Sequence, residues 1–145
     1  MTVYINMYLF KAENVYALLI ELEQRGVDVY VLADAGNLNW PGEADDLGCM
    51  GELEEAGGEV RLLNYGSSGR FAFDHAKYCI IDGTTTIVTS ENWTGANLNG
   101  EVLQNPYVSN KGNRGWGAVI ESTEYAGFMK TVFDNDYTKE YGDVC

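Results

Sequence analysis

Two apolar runs with an amphipathic stretch between them constrain this chain most. In 3-VYINMYLF-10 and 27-VDVYVLAD-34 apolar residues occupy both alternating sets of positions, with Asn6 the main exception in the first. That is the pattern of a strand covered on both faces. Between them, 13-ENVYALLIELEQRG-26 places Val15, Leu18, Leu19 and Leu22 at helical spacing, and Gly26 supplies a stop. Strand, helix and strand with short joints make a βαβ unit, so the first two strands should run parallel.

The rest of the chain extends that sheet. Residues 35–43 (AGNLNWPGE) read as a loop, 44–56 as a weaker helix ended by Gly57-Gly58, and 59-EVRLLN-64 as a third strand. The loop 65-YGSSGRFAF-73 delivers the chain to two β-rich runs, Lys77 to Asp82 and Thr84 to Ser90, joined by the hairpin dipeptide Asp82-Gly83. From Glu91 to Arg114 the chain is polar and glycine-rich, long for a connection and therefore expected to be functional. A last strand, 116-WGAVIES-122, leads into a helix over 123–139 in which Tyr125, Phe128, Met129 and Val132 share a face. The fold class expected is α/β, a mixed β-sheet flanked by helices on both faces. One domain spans 1–145. Its abrupt start in a strand and its end at Val144-Cys145 suit a fragment of a longer chain.

Composition bounds the function. At 145 residues, 46% of them apolar and 12% aromatic, the chain can bury a core. No apolar run approaches the roughly 18 residues of a membrane span, so the chain reads as soluble; it carries no address and its location stays open. Cys49, Cys79 and Cys145 are odd in number and lack metal-type spacing, so neither a zinc site nor a disulfide framework is expected. The net charge of −13 argues against a generally basic nucleic-acid binder. It concerns the average surface only: carboxylates crowd Glu43 to Glu59, whereas Arg70, Lys77, Lys111 and Arg114 cluster around the hairpin.

That hairpin carries the chemistry. His75, the only histidine, and Lys77 stand two apart at the head of one strand, on one face. The partner strand runs back, so Ser90 and Asn92 return to the level of His75. An imidazole, a fixed cation, a hydroxyl and a carboxamide are what a phosphodiester site requires: a group to attack phosphorus and donors for the charge that develops on its oxygens. Asp82 opens the turn and is accounted for by hairpin geometry. Trp93, with Phe71, Phe73 and other loop aromatics, is a candidate to stack bases or enter a lipid interface.

His75-x-Lys77-x4-Asp82 followed by Ser90-x-Asn92 resembles the HKD motif of the phospholipase D superfamily, in the single-motif form of small Nuc-type endonucleases. The likeness runs through the opening strand, RGVDVYVLAD, DHAKYCIIDG and the closing helix. It implies a metal-independent site without cofactor, built from two motifs about a dyad. One His75 would form a phosphohistidine while its counterpart protonates the leaving oxygen; Lys77 and Asn92 would bind phosphoryl oxygens and Ser90 would position them. Since this chain has one motif, the second must come from an identical subunit or from another repeat of a parent protein. Arg70, Lys111, Arg114 and Trp93 are the candidate substrate contacts.

Two departures stand out. Thr89 replaces the glycine that usually precedes the serine, and 113-NRGWGAV-119 lacks the carboxylate that orients the histidine in Nuc-type relatives, leaving Glu121 or Glu91 to replace it. The first expectation for substrate is nucleic acid. The second is a phospholipid, for a hydrolase or phosphatidyltransferase, favoured by the acidic surface and the aromatic-flanked loop. The third is a non-catalytic phosphate-binding or assembly module, favoured by the missing acid.

Overall fold

A computed structural model describes residues 1–37, 46–63, 71–95, 97, 98, 113 and 115–137. Six strands form one mixed sheet. β1 (Thr2–Met7) lies between β3 (Asp28–Asp34), parallel to it, and β5 (Lys77–Ile81), antiparallel. β2 (Phe10–Lys11) belongs to a second, small sheet; β4 (Glu59–Leu63) continues the parallel side of the large one beyond β3. β6 (Thr85–Thr89) pairs antiparallel with β5, and β8 (Gly117–Glu121) with β6, giving the order β4-β3-β1-β5-β6-β8. The expected βαβ start is present, with α1 (Glu13–Gln24) as the crossover.

Helices cover both faces because the buried strands are apolar on both sets of positions. Val3, Ile5 and Met7 of β1, with Val29 and Val31 of β3, pack under Tyr16 and Leu19 of α1 and Met50 and Leu53 of α2 (Asp46–Glu55). On the other face Leu32, Leu63, Tyr78 and Ile80 meet Ala126, Phe133 and Tyr137 of α3 (Thr123–Tyr137). There Tyr4 stacks on Tyr30 at 5.0 Å between ring centroids and receives the edge of Phe133 at 5.4 Å. Arg61 ties the end of α3 to the sheet, donating to the Tyr137 carbonyl (2.7 Å) with its guanidinium 4.0 Å from that ring's centre.

Three expectations need correction. The first strand stops at Met7 instead of running to Phe10: Tyr8 N–H donates to the Ala76 carbonyl (2.9 Å), and Phe10–Lys11 pair parallel with β7 (Trp93–Thr94). In α1, Leu18 is 51% exposed and Tyr16 takes its place, stacked on Phe10 at 4.2 Å and donating its hydroxyl to the Phe10 carbonyl. In α3 the buried stripe is Ala126, Phe133 and Tyr137, with Met129 partly covered, whereas Phe128 is 64% exposed. Both stripes have helical spacing; the aromatic groove of Tyr4 and Tyr30 selects the one that fits it.

The hairpin turn is as expected. Asp82 and Gly83 both take positive φ (50° and 62°), and Thr84 N–H donates back to the Ile81 carbonyl. Asp82 Oδ1 also accepts from Thr2 N–H (2.8 Å), fastening the turn to the start of β1. It stands at the opposite end of β5 from Lys77. A cavity of ≈ 290 Å³ lined by Thr84, Thr85, Glu121, Ser122 and Thr123 lies at this same end, away from His75.

Candidate functional site

The end of the sheet opposite that turn gathers the polar residues. His75 is exposed, in the extended segment just before β5. Its ring meets Tyr8 edge-on, 4.6 Å between centroids, and Tyr8 in turn meets the edge of Phe73. The break in the first apolar run is therefore what brings Tyr8 beside the histidine. Lys77, the first residue of β5, is 8% exposed. Its Nζ donates to the His75 carbonyl (2.9 Å) and lies 5.2 Å from the centre of the Tyr8 ring. Burial pushes the Lys77 ammonium below its ordinary pKa, while the negative charges of Asp74 and Glu91 act the other way.

β6 brings the chain back to this level. The register Tyr78↔Val88 puts Thr89 at the Lys77 end, with Ser90 and Asn92 beyond it. Ser90 is held by two bonds to one residue: its N–H donates to the Trp116 carbonyl (2.9 Å) and its Oγ accepts from Trp116 N–H (3.0 Å). Thr89, standing where a glycine was expected, closes the bend after β6 by donating its hydroxyl to the Glu91 carbonyl (2.9 Å). Asn92 is half-buried, and its Oδ1 is out of water without a hydrogen-bond partner among the described residues. Trp93 turns its ring against Phe10 at 5.4 Å and packs on the core. Arg70, Lys111 and Arg114 lie outside the described residues.

The sequence reading passed over Asp74. It is 9% exposed; its N–H donates to Asp34 Oδ2 (2.6 Å), and its Oδ1 accepts from Ala76 N–H (3.3 Å). Burial, with smaller contributions from Asp136 and Asp34, pushes its carboxyl up to about 6, and Asn6 beside it offsets part of the rise. The only signal for it was an acid that follows the apolar 71-FAF-73 and directly precedes His75.

Because the folded pKa of Asp74 lies above the unfolded one, its proton stabilises the fold fully below about pH 4. That stability is lost as pH rises towards the folded value of about 6. The displacement corresponds to at most about 3 kcal/mol, and partial solvent access brings the expected effect to about 2 kcal/mol. Asp74→Asn, which imitates the protonated acid, should therefore match wild type near pH 4 and be more stable above pH 6 by about that amount. Urea unfolding of both proteins at several pH values checks this; a difference independent of pH would refute it.

A family model described as "Cardiolipin synthase, PLD-like domain" matches residues 1–137. Among solved structures the chain is similar to Nuc, a phospholipase D family member from Salmonella typhimurium, with a TM-score of 0.74 and 18% identity over 99% of this chain and 83% of that one. It is also similar to NucT from Helicobacter pylori, with a TM-score of 0.71 and 18% identity over 98% of this chain and 82% of the other. TrmBL2, an archaeal chromatin protein described as showing a novel mode of DNA binding, aligns with a TM-score of 0.58 and 16% identity over 96% of this chain and 44% of its own. At these identities the likeness is one of fold. Among curated proteins no similar sequence is found.

Proposed function

The chain belongs to the phospholipase D-like family, that of the cardiolipin synthase PLD-like domain, and from this membership we propose that it is a metal-independent phosphodiesterase acting through a phosphohistidine, with nucleic acid as its first substrate class. The observation that carries the reading is an exposed imidazole and a buried ammonium held together, with Lys77 Nζ bonded to the His75 carbonyl and the Tyr8 ring against both side chains. Nζ has three N–H donors, and one of them goes to the His75 carbonyl. The others are available in this reading to the non-bridging oxygens of a phosphodiester, whose charge is felt strongly by an ammonium shielded from water.

In the proposed reaction His75 attacks phosphorus through a ring nitrogen, the P–N bond forms and the P–O bond to the leaving group breaks. A second His75, in its protonated form, gives its proton to the leaving oxygen. Water then loses a proton to that same imidazole, attacks phosphorus and breaks the P–N bond, releasing a phosphomonoester and restoring both histidines. Asn92 completes the set of donors around phosphorus, and Ser90, held through its N–H and its Oγ by Trp116, positions it.

The second histidine comes, in this reading, from an identical chain. Phe73 is 64% exposed two residues from His75, and Trp116, bonded to Ser90, is 69% exposed. An apolar rim around a polar site suits cover by a second subunit. The same rim favours a second reading, a phospholipid substrate with water or an alcohol as acceptor. Against nucleic acid, the charge of −13 means that attraction has to be local to the site.

The test is turnover of single-stranded DNA, RNA, phospholipid vesicles and bis(p-nitrophenyl) phosphate with EDTA present. Hydrolysis of DNA or RNA with EDTA is the expected result. Loss of turnover on adding EDTA would sink the proposed chemistry. Cleavage of the vesicle lipid alone would replace the substrate class, and phosphate binding without turnover of any ester would make the domain a binding module.

A further inference from the structure

The entry into β8 has no carboxylate, and the geometry points to the residue that supplies one: we infer that Glu91, admitted into the site by Gly115, is the acid that positions Ser90 and Lys77. The inference rests on the phosphodiesterase reading above. Its central observation is steric. A Cβ built on Gly115 would lie 1.7 Å from Glu91 Oε1 and 2.2 Å from Cγ and Cδ. The Glu91 side chain therefore fills the volume that any side chain at position 115 would occupy. A carboxylate carried by the connection after β6 stands where a side chain projecting from the approach to β8 would stand.

Three further observations fix its orientation. Ser90 Oγ donates to Glu91 Oε1 at 3.4 Å, while the Glu91 carbonyl accepts from Thr89 Oγ1. The charge of Glu91 acts on Lys77. Ser90 N–H donates to the Trp116 carbonyl, which holds the connection carrying Glu91 beside Gly115. Glu121, the other candidate, pairs with Thr85 at the opposite end of the sheet. Asp74 also acts on Lys77, but its backbone is bound to Asp34 and its charge is opposed by burial and by Asp34 and Asp136. The groups facing the ammonium are thus Asp74, Glu91, the His75 carbonyl and the Tyr8 ring. Glu91 is the carboxylate among them that also holds Ser90.

Gly115→Ala tests the inference with the charge still in the chain. The atoms its Cβ meets belong to the end of a flexible side chain, so the carboxylate swings out while the fold is kept. Gly115→Ala and Glu91→Gln should give the same result, a fall in kcat/KM on bis(p-nitrophenyl) phosphate of roughly tenfold or more. The alkaline limb of the pH profile should move to lower pH in both, because Lys77 loses a charge that keeps it protonated. Glu91→Asp should recover part of the loss, and the double variant Glu91→Ala with Gly115→Glu should restore the limb by presenting the carboxylate from the approach to β8. Unchanged limbs in both single variants would overturn the inference.

If wild type turns over no ester, the function proposed above fails, yet the inference is still read from the pH dependence of inorganic phosphate binding by calorimetry. Weaker binding at alkaline pH in Gly115→Ala and Glu91→Gln supports it, and equal binding in all proteins, or none in wild type, overturns it.

Discussion

Activity per wild-type chain will fall to roughly a tenth when the protein is mixed with a tenfold excess of His75→Ala chain and allowed to exchange. The expectation follows from the count of histidines: the chain has 1, and the proposed reaction uses two, one neutral to attack and one protonated to donate. A site shared across a dyad loses one of them in every mixed dimer. His75→Ala alone should lower turnover by on the order of 10³ or more, since it removes both the nucleophile and the acid. A reaction that needs one neutral and one protonated imidazole, together with a charged Lys77, should give a bell-shaped pH–rate profile whose alkaline limb also depends on Lys77. Constant activity per wild-type chain on dilution would show two independent sites and end the shared-site mechanism, while leaving the identity of the nucleophile to the single mutant.

Phe133→Ala should destabilise the fold by about 3–5 kcal/mol. The ring is 1% exposed and is held on two sides, edge-on by Tyr4 at 5.4 Å and stacked by Tyr137 at 5.2 Å. Its removal leaves a cavity walled by rings that are themselves committed elsewhere: Tyr4 to Tyr30, and Tyr137 to Arg61 and, through its hydroxyl, to Glu59 Oε2 at 2.9 Å. Collapse into the space would break those contacts, so the cost should lie towards the upper end of the range. Phe128→Ala is the matched control. Exposed at 64% on the same helix, it should change stability by about 0.5 kcal/mol or less. Equal losses at the two positions, measured by denaturant unfolding, would mean that α3 packs by another face.

Phe128 also marks where sequence reasoning stops. Its spacing with Tyr125, Met129 and Val132 made an apolar stripe as good as the one that is buried. A helix of this kind offers two such stripes, and the choice between them is made by the surface it meets, here the Tyr4–Tyr30 stack contributed by β1 and β3. Leu18 was misplaced for the same reason, because Phe10 offered a ring for Tyr16 to stack on.

What the sequence by itself determined was local or periodic. Apolar residues on both alternating sets forced doubly covered strands, and Asp82-Gly83 forced the hairpin, because few other residues accept the two positive φ angles found there. With the hairpin came the return of Ser90 and Asn92 to the level of His75 and Lys77, a consequence of strand length alone. Only the tertiary structure decided what surrounds them. Tyr8 reaches His75 because the first strand breaks to pair with Trp93–Thr94, more than eighty residues away. Asp74 is pushed up to about 6 because strands and a helix distant in sequence shut it from water beside Asp34 and Asp136. Glu91 lies beside Ser90 in space that a glycine just ahead of β8 leaves open. Each of these depends on volume, desolvation or charge contributed by remote parts of the chain, and no spacing within a single segment encodes it.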